Sequence, residues 1–265
     1  MKRLFLSWHA PSTRQWYPVG RLSADGRAFE FVYTRGALQA RAESGFQPLP
    51  AFPELESTYR SAELFPLFAN RLLPPSRPEY ADFVGWMSVP RDEADPLDVL
   101  GRSGGHRATD RFEVFPEPRQ DADGYYRLHF FVHGLSHFPI TSRSRAATLQ
   151  PGERLLLMHD FQNEHDPRAL MLRTAESAPG DLHMVGFCPR YLTEDVFAAR
   201  QAAEPPEVTV TRTNPPPAPV QFRLLCQVRY RGADGYRPFS GEPYKPIART
   251  GTSLEEQSLG MKKAG

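Results

Sequence analysis

The sequence predicts a mainly β protein with some α, an α+β chain folded as two domains. Three observations carry that expectation. Short apolar runs of strand length, several alternating residue by residue, recur in both halves. Only three stretches show the i, i+3, i+4 apolar spacing of a helix. The 27 prolines are clustered, so they punctuate the chain rather than dilute it. At 265 residues, 40% of them apolar, the chain is long enough to build two cores.

The elements follow in order. Arg3 to Trp8 is a short apolar strand. Val19 to Ser23 and Ala28 to Tyr33 alternate and flank Asp25-Gly26, the signature of a hairpin turn. Ala62 to Leu73 has helical spacing that Pro74-Pro75 ends, and Glu79 to Met87 is a second helix. Phe112 to Phe115 closes the first domain as a strand. Pro116-Glu117-Pro118 and the polar run Arg119 to Gly124 read as an interdomain linker. Strands are then expected at Tyr125–Val132, Glu153–Met158, Ala169–Arg173, Met184–Cys188, Glu207–Thr211 and Phe222–Arg229. A helix is expected at Arg190–Arg200, and Asn214 to Pro219 is a surface loop. From Arg231 onward periodicity is lost, and Ser253 to Gly265 is polar enough to fray.

Composition narrows the function. There are 32 basic and 31 acidic residues, a balance that argues against coating long nucleic acid by charge alone. A few placed groups can still grip one DNA end. The basic residues are almost all Arg, with Lys only at 2, 245, 262 and 263. Two cysteines, Cys188 and Cys226, without a Cys-x-x-Cys pair, point to a reduced cytoplasmic protein and to no structural zinc. No stretch has the length of a membrane span and none resembles a signal peptide, so no membrane partner is expected. The glycine-rich Gly101-Arg102-Ser103-Gly104-Gly105-His106 lacks the Walker Lys-Ser/Thr pair and reads as a mobile or positive-φ turn between two elements. No kinase catalytic loop or His-Glu-x-x-His follows, so neither catalytic residues nor a cofactor or metal is expected.

The most specific stretch runs from Leu149 to Leu192. It holds Gly152 before an apolar strand, then Asn163-Glu164-His165-Asp166, then Ala169-Leu170-Met171-Leu172, then Val185-Gly186-Phe187-Cys188-Pro189-Arg190-Tyr191-Leu192. Upstream, Val132 to Phe138 supplies a strand end and the turn after it. In order and spacing this resembles the HIRAN domain, over roughly residues 125–230. The resemblance implies an OB-like barrel that captures the 3′ end of single-stranded DNA. It assigns Asp166 to the terminal 3′-hydroxyl, His165 to a base face, and Asn163 to a base edge or the turn. Arg190 goes to backbone phosphate, and His137, Phe138 and Phe187 to aromatic contacts. His165 stands where the family often has Tyr, and Ser136 where some members have a basic residue.

The first half carries a second resemblance. Val19-Gly20-Arg21-Leu22, Phe29 to Tyr33, Pro48-Leu49-Pro50-Ala51-Phe52-Pro53, Leu64 to Pro74 and Asp95-Pro96-Leu97-Asp98-Val99-Leu100 are similar to the N-terminal subdomain of HipA-type kinases, over residues 1–118. The kinase core that follows in that family is absent from the sequence. That resemblance implies a domain that docks on a partner protein, such as a HipA-type kinase; with the DNA-end reading, a helicase or nuclease is the other expected partner.

The expected organisation is therefore a docking domain at 1–118, a linker at 119–124, a barrel for DNA ends at 125–230 and an irregular tail at 231–265. The expected role is non-enzymatic, in genome maintenance, phage defence or toxin–antitoxin control. The alternative is an antitoxin-like module that restrains a kinase without binding DNA.

Overall fold

The computed structural model describes residues 1–90, 94–164, 166–176, 179–199, 204–233 and 235–248. The expected fraying at 253–265 lies outside them. The fold is mixed α+β with mostly sheet content. It forms two compact units. One comprises residues 1–69, 107–114 and the described residues from Ser240 onward; the other comprises Asn70–His106 and Phe115–Phe239.

The first unit is built on a five-stranded sheet of order β4-β3-β2-β1-β5, with β1 Lys2–His9, β2 Trp16–Ala24, β3 Phe29–Tyr33, β4 Thr58–Ser61 and β5 Phe112–Pro116. The Asp25-Gly26 hairpin forms as the sequence predicts. Asp25 Oδ1 accepts from the N–H groups of Arg27 and Ala28 at 2.9 and 3.0 Å, and Gly26 takes φ +92°. These bonds hold the Asp25 carboxyl below its ordinary range. The proline-rich segment from Pro48 to Pro53 wraps a buried tyrosine. Tyr33 donates its hydroxyl to Phe52 O and accepts from Leu49 N–H, both at 2.7 Å. Phe31 stacks on Phe52 at 4.2 Å.

Helix α1 (Arg35–Ser44) escapes the periodicity reading because its buried face is Gly36, Ala37 and Ala40, too small to register as an apolar stripe. Those residues let it lie tight on β2: a Cβ on Gly36 would sit 2.2 Å from Pro18 O.

The helix expected over 62–73 is only one turn, α2 (Pro66–Ala69). Pro66 has no N–H to continue an earlier helix and fits only a first turn. Beyond Ala69 the chain turns away, and Arg71, 7% exposed, donates Nη1 to Gly105 O at 2.8 Å.

Among its described residues the C-terminal stretch from Ser240 onward has no strand or α-helix, but it is anchored. Arg35 N–H donates to Lys245 O at 2.8 Å and Ile247 N–H to Tyr33 O at 2.9 Å, while Tyr244 packs edge-on against Phe5.

The second unit carries a seven-stranded sheet of order β10-β9-β8-β11-β12-β7-β6. Its strands are β6 Arg119–Gln120, β7 Tyr126–Phe131, β8 Arg154–His159, β9 Leu170–Thr174, β10 Met184–Phe187, β11 Glu207–Thr213 and β12 Leu224–Tyr230. Every neighbouring pair is antiparallel. His133, just past β7, bridges to Phe187 on β10: His133 N–H donates to Phe187 O at 3.0 Å and Phe187 N–H to His133 O at 2.9 Å. That bridge ties the far strand back to β7, so β7 to β12 close into a barrel.

Among the described residues four α-helices belong to this unit: α3 (Tyr80–Trp86), α4 (Pro96–Ser103), α5 (Ile140–Thr148) and α6 (Arg190–Ala199). Met87, Phe131, Phe222 and Leu225 form a buried cluster with Phe83, Trp86 and Val89 against it. Asn214 donates to Trp86 O and Phe222 O at 3.0 and 2.7 Å, fixing the loop expected at 214–219.

Two expectations about organisation are corrected here. Residues 119–124 are not a free linker: β6 pairs with β7, Asp121 N–H donates to Tyr125 O at 2.8 Å, and Asp123 holds Arg127 at 2.5 Å. The divide at 118 also moves, because Arg71 and the α3–α4 region bury polar and apolar groups within the barrel unit. Among the described residues no helix is long and apolar enough to cross a membrane.

Candidate functional site

The turn between β8 and β9 is built by its own polar side chains. Asn163 Oδ1 accepts from Asp166 N–H at 2.9 Å, Asn163 Nδ2 donates to Asp160 Oδ2 at 3.1 Å, and Asp166 Oδ1 accepts from Arg168 N–H at 3.0 Å. Asn163 thus caps the turn through both ends of its amide. Asp166 keeps Oδ2 for another partner, Arg190 Nε, 3.7 Å away; their side chains are 16% and 29% exposed.

Arg190 opens α6, directly after Pro189 and the strand end at Phe187. The first turn of that helix is closed by Leu192 N–H to Pro189 O at 3.0 Å and by the Thr193 hydroxyl to Arg190 O at 2.9 Å.

The aromatic members form a second group. Phe138 and Phe187 meet at 5.8 Å between ring centroids. Gly134, at φ +72°, begins the 3-10 turn Leu135–His137 that carries His137 to the surface. A Cβ on Gly134 would meet the Phe187 ring at 3.4 Å and the His137 ring at 3.8 Å.

The two groups, His137/Phe138/Phe187 and Asn163/Asp166/Arg190, are joined by the two residues between Phe187 and Arg190. They share the end of the barrel that the His133–Phe187 bridge closes. His165 lies outside the described residues.

Nearby histidines have structural partners. His129 lies between Arg102 (Nη2 to Nδ1, 3.1 Å) and Gln227 (3.0 Å), and burial together with the Arg102 charge pushes it down to about 4. His133 is likewise pushed down to about 4, by burial first and by neighbouring His106 second. His129, His133 and His137 have the four-residue spacing of a helix face, but a strand and a turn carry them here and send them to different partners.

Gly101 to Gly105 also spells Gly-x-Ser-x-Gly. Ser103, however, is 4% exposed at the end of a helix, donating to Leu100 O at 3.3 Å and accepting from Gly105 N–H at 3.3 Å. A nucleophile elbow needs a strand-to-helix turn with an exposed hydroxyl. Gly104 and Gly105, at φ +74° and +56°, give the positive-φ turn expected from the sequence.

Sequence reasoning missed Phe161, which is 84% exposed in the turn between β8 and β9, just before Asn163. A single aromatic among polar turn residues was its only signal. It also missed Arg145 on α5, which binds Asp181 at 2.9 Å and Glu153 at 2.7 Å and fastens that helix to the barrel.

The second unit is thus an antiparallel barrel with a carboxylate, a guanidinium and aromatic rings at one end. Residues 125–229 match the family model of the HIRAN domain, a match consistent with nucleic-acid binding. Two solved structures are similar over part of the chain. One is a protein from Lactobacillus plantarum, 17% identical, covering 40% of this chain and 97% of that one, with a TM-score of 0.30. The other is the HIRAN domain of human HLTF, 18% identical, covering 42% of this chain and 78% of that one, also with a TM-score of 0.30. No curated protein matches the sequence.

Proposed function

We propose that this protein is a non-catalytic nucleic-acid-binding protein that captures the 3′ end of single-stranded DNA at the closed end of its barrel, and that its first unit docks a protein partner. The observation that carries the reading is Asp166, a carboxylate with one oxygen committed to its turn and the other held 3.7 Å from Arg190 at the start of a helix. A terminal 3′-hydroxyl can donate to that second oxygen. The adjacent phosphate meets Arg190 and the first N–H groups of α6. Phe187, Phe138 and His137 offer ring faces to the last base. A 3′-phosphate in the same place puts like charge against Asp166.

The partner of the first unit is a HipA-type kinase, a helicase or a nuclease, which places the protein in genome maintenance, phage defence or toxin–antitoxin control within the cytoplasm.

The test is fluorescence anisotropy of the full chain with one labelled single strand, ending in a free 3′-hydroxyl or a 3′-phosphate. One charge-assisted hydrogen bond is worth about 1.5–3 kcal/mol, so the free end is preferred about tenfold or more. Equal binding of both ends overturns end capture and leaves a protein-docking module without a DNA role.

A further inference from the structure

An aromatic file leads away from the turn that carries Asp166. Phe161 stands in that turn two residues past the end of β8, 84% exposed. Behind it lies the His159 ring, centroid to centroid 4.0 Å, and behind that Phe197 of α6 at 4.9 Å, edge-on. The imidazole is fixed in place: His159 Nε2 donates to Pro167 O at 2.8 Å. A single exposed aromatic is ordinary on a protein surface. One backed by a fixed ring that leads into a cavity is a different feature.

His159 and Phe197 are also walls of a groove of about 340 Å³ between β8, β9 and α6, lined further by Leu156, Met158, Val196 and Pro206. Its polar lining is cationic. Arg154 and Arg173 face it, and among the described residues none that lines it is acidic. Arg173 Nη1 donates to the carbonyl of Thr174 at 3.1 Å, and Arg154 has its carboxylate, Glu207, only at 3.7 Å with both side chains exposed. Flat apolar faces beside guanidinium groups suit a chain that alternates planar bases with phosphates.

We infer that this groove carries the nucleotides on the 5′ side of a captured DNA 3′ end, with Phe161 as the stacking platform at its mouth and Arg154 and Arg173 meeting the phosphates. The inference rests on end capture at Asp166 and extends it: the site reads a stretch of single strand as well as a terminus.

Binding of the full chain to thymidine oligonucleotides with free 3′-hydroxyls, a trinucleotide against an octanucleotide, tests it. The octanucleotide is expected to bind about tenfold tighter, as one stacked base supplies. Phe161→Ala and Arg173→Gln each shrink that length advantage while trinucleotide binding and discrimination against a 3′-phosphate stay unchanged. Phe161 is exposed, so its removal leaves the fold intact, and Phe161→Trp restores the advantage with indole emission quenched by the octanucleotide and not by the trinucleotide. A length advantage untouched by both variants, with end discrimination retained, overturns the groove assignment and leaves end capture standing. Absence of any preference for the free 3′ end overturns both.

Discussion

Asp166 Oδ2 lies 3.7 Å from Arg190 Nε, an ion pair that joins the β8–β9 turn to the first residue of α6. At that distance, with partly exposed side chains, the pair contributes little to stability, about 0.2–1 kcal/mol. Its value is positional: a hydrogen-bond acceptor and a guanidinium stand side by side at a barrel end. Asp166→Asn keeps the oxygen that accepts from Arg168 N–H and removes the charge. In urea unfolding its stability is expected to change by less than about 1 kcal/mol, while its preference for a 3′-hydroxyl over a 3′-phosphate collapses. A loss of several kcal/mol would instead make the pair a structural clamp.

Arg190→Ala acts on the other half of the pair. A phosphate contact carries no end chemistry, so this variant weakens free and blocked ends alike and reduces the salt slope of binding by about 1. A salt titration of binding checks it; selective loss of only the free end would assign Arg190 to the hydroxyl.

His129 and His133 both make the fold acid-sensitive: His129, pinned between Arg102 and Gln227, is pushed from 6.5 to about 4 chiefly by burial, as is His133. Between those pH values the unfolded chain holds the proton and the folded chain does not. Stability therefore falls as pH drops from 6.5 toward 4, by on the order of 2–3 kcal/mol from His129 alone. Asp195 works in the opposite direction. Only 8% exposed, and accepting from Phe239 N–H at 3.3 Å, it is pushed by burial from 3.8 up to about 6. The folded chain binds that proton first, so acidification from pH 6 toward 3.8 relieves a buried charge and adds stability. Denaturant unfolding between pH 7 and 5 is expected to show a shallower acid loss in His129→Gln and a steeper one in Asp195→Asn. Unchanged slopes in both would remove these groups from the linkage.

Most of the barrel was legible because its strands are rich in Leu, Val and Phe and bounded by Gly and Pro, as at Leu170–Leu172 and Val185–Phe187. What escaped was amphipathicity carried by small or polar residues. Helix α1 buries Gly36, Ala37 and Ala40, and α5 buries Ser142 and Ala146 while Ile140 is 65% exposed. The linker at 119–124 was misread because polar turn residues look alike whether they join domains or close a hairpin. For the site, the resemblance to the HIRAN domain named Asp166, Arg190 and Phe187. It could not show that Asn163 is spent on its own turn, or that Phe161 stands over His159, since both depend on how the turn coils in space.

Both thiols are buried and free, and burial pushes each well above the ordinary cysteine range. The thiolate is the reactive form, so Cys188 and Cys226 are expected to resist alkylation by iodoacetamide in native buffer and to react fully in guanidinium. Rapid native labelling, read by mass spectrometry, would mean that β10 or β12 opens readily.

The closure of the barrel rests on Gly186. Its φ is +136°, a region that L side chains rarely adopt, and an added Cβ would lie 2.5 Å from His133 O and 2.3 Å from Val132 Cγ1. His133 O is the acceptor for Phe187 N–H in the bridge that ties β10 back to the end of β7. Relief of that clash moves one strand away from the other, along with Phe187 and the start of α6 that carries Arg190. Gly152 is the control: its φ is +88°, yet nothing lies within 4 Å of its Cβ position. Gly152→Ala is expected to cost about 1 kcal/mol of backbone strain and to leave DNA-end binding intact. Gly186→Ala carries both strain and overlap and is expected to cost more than about 2 kcal/mol. It also lowers protection of the Phe187 amide in hydrogen exchange and weakens binding of the 3′ end. Equal stability and equal Phe187 protection in the two variants would mean that the bridge does not hold the barrel closed.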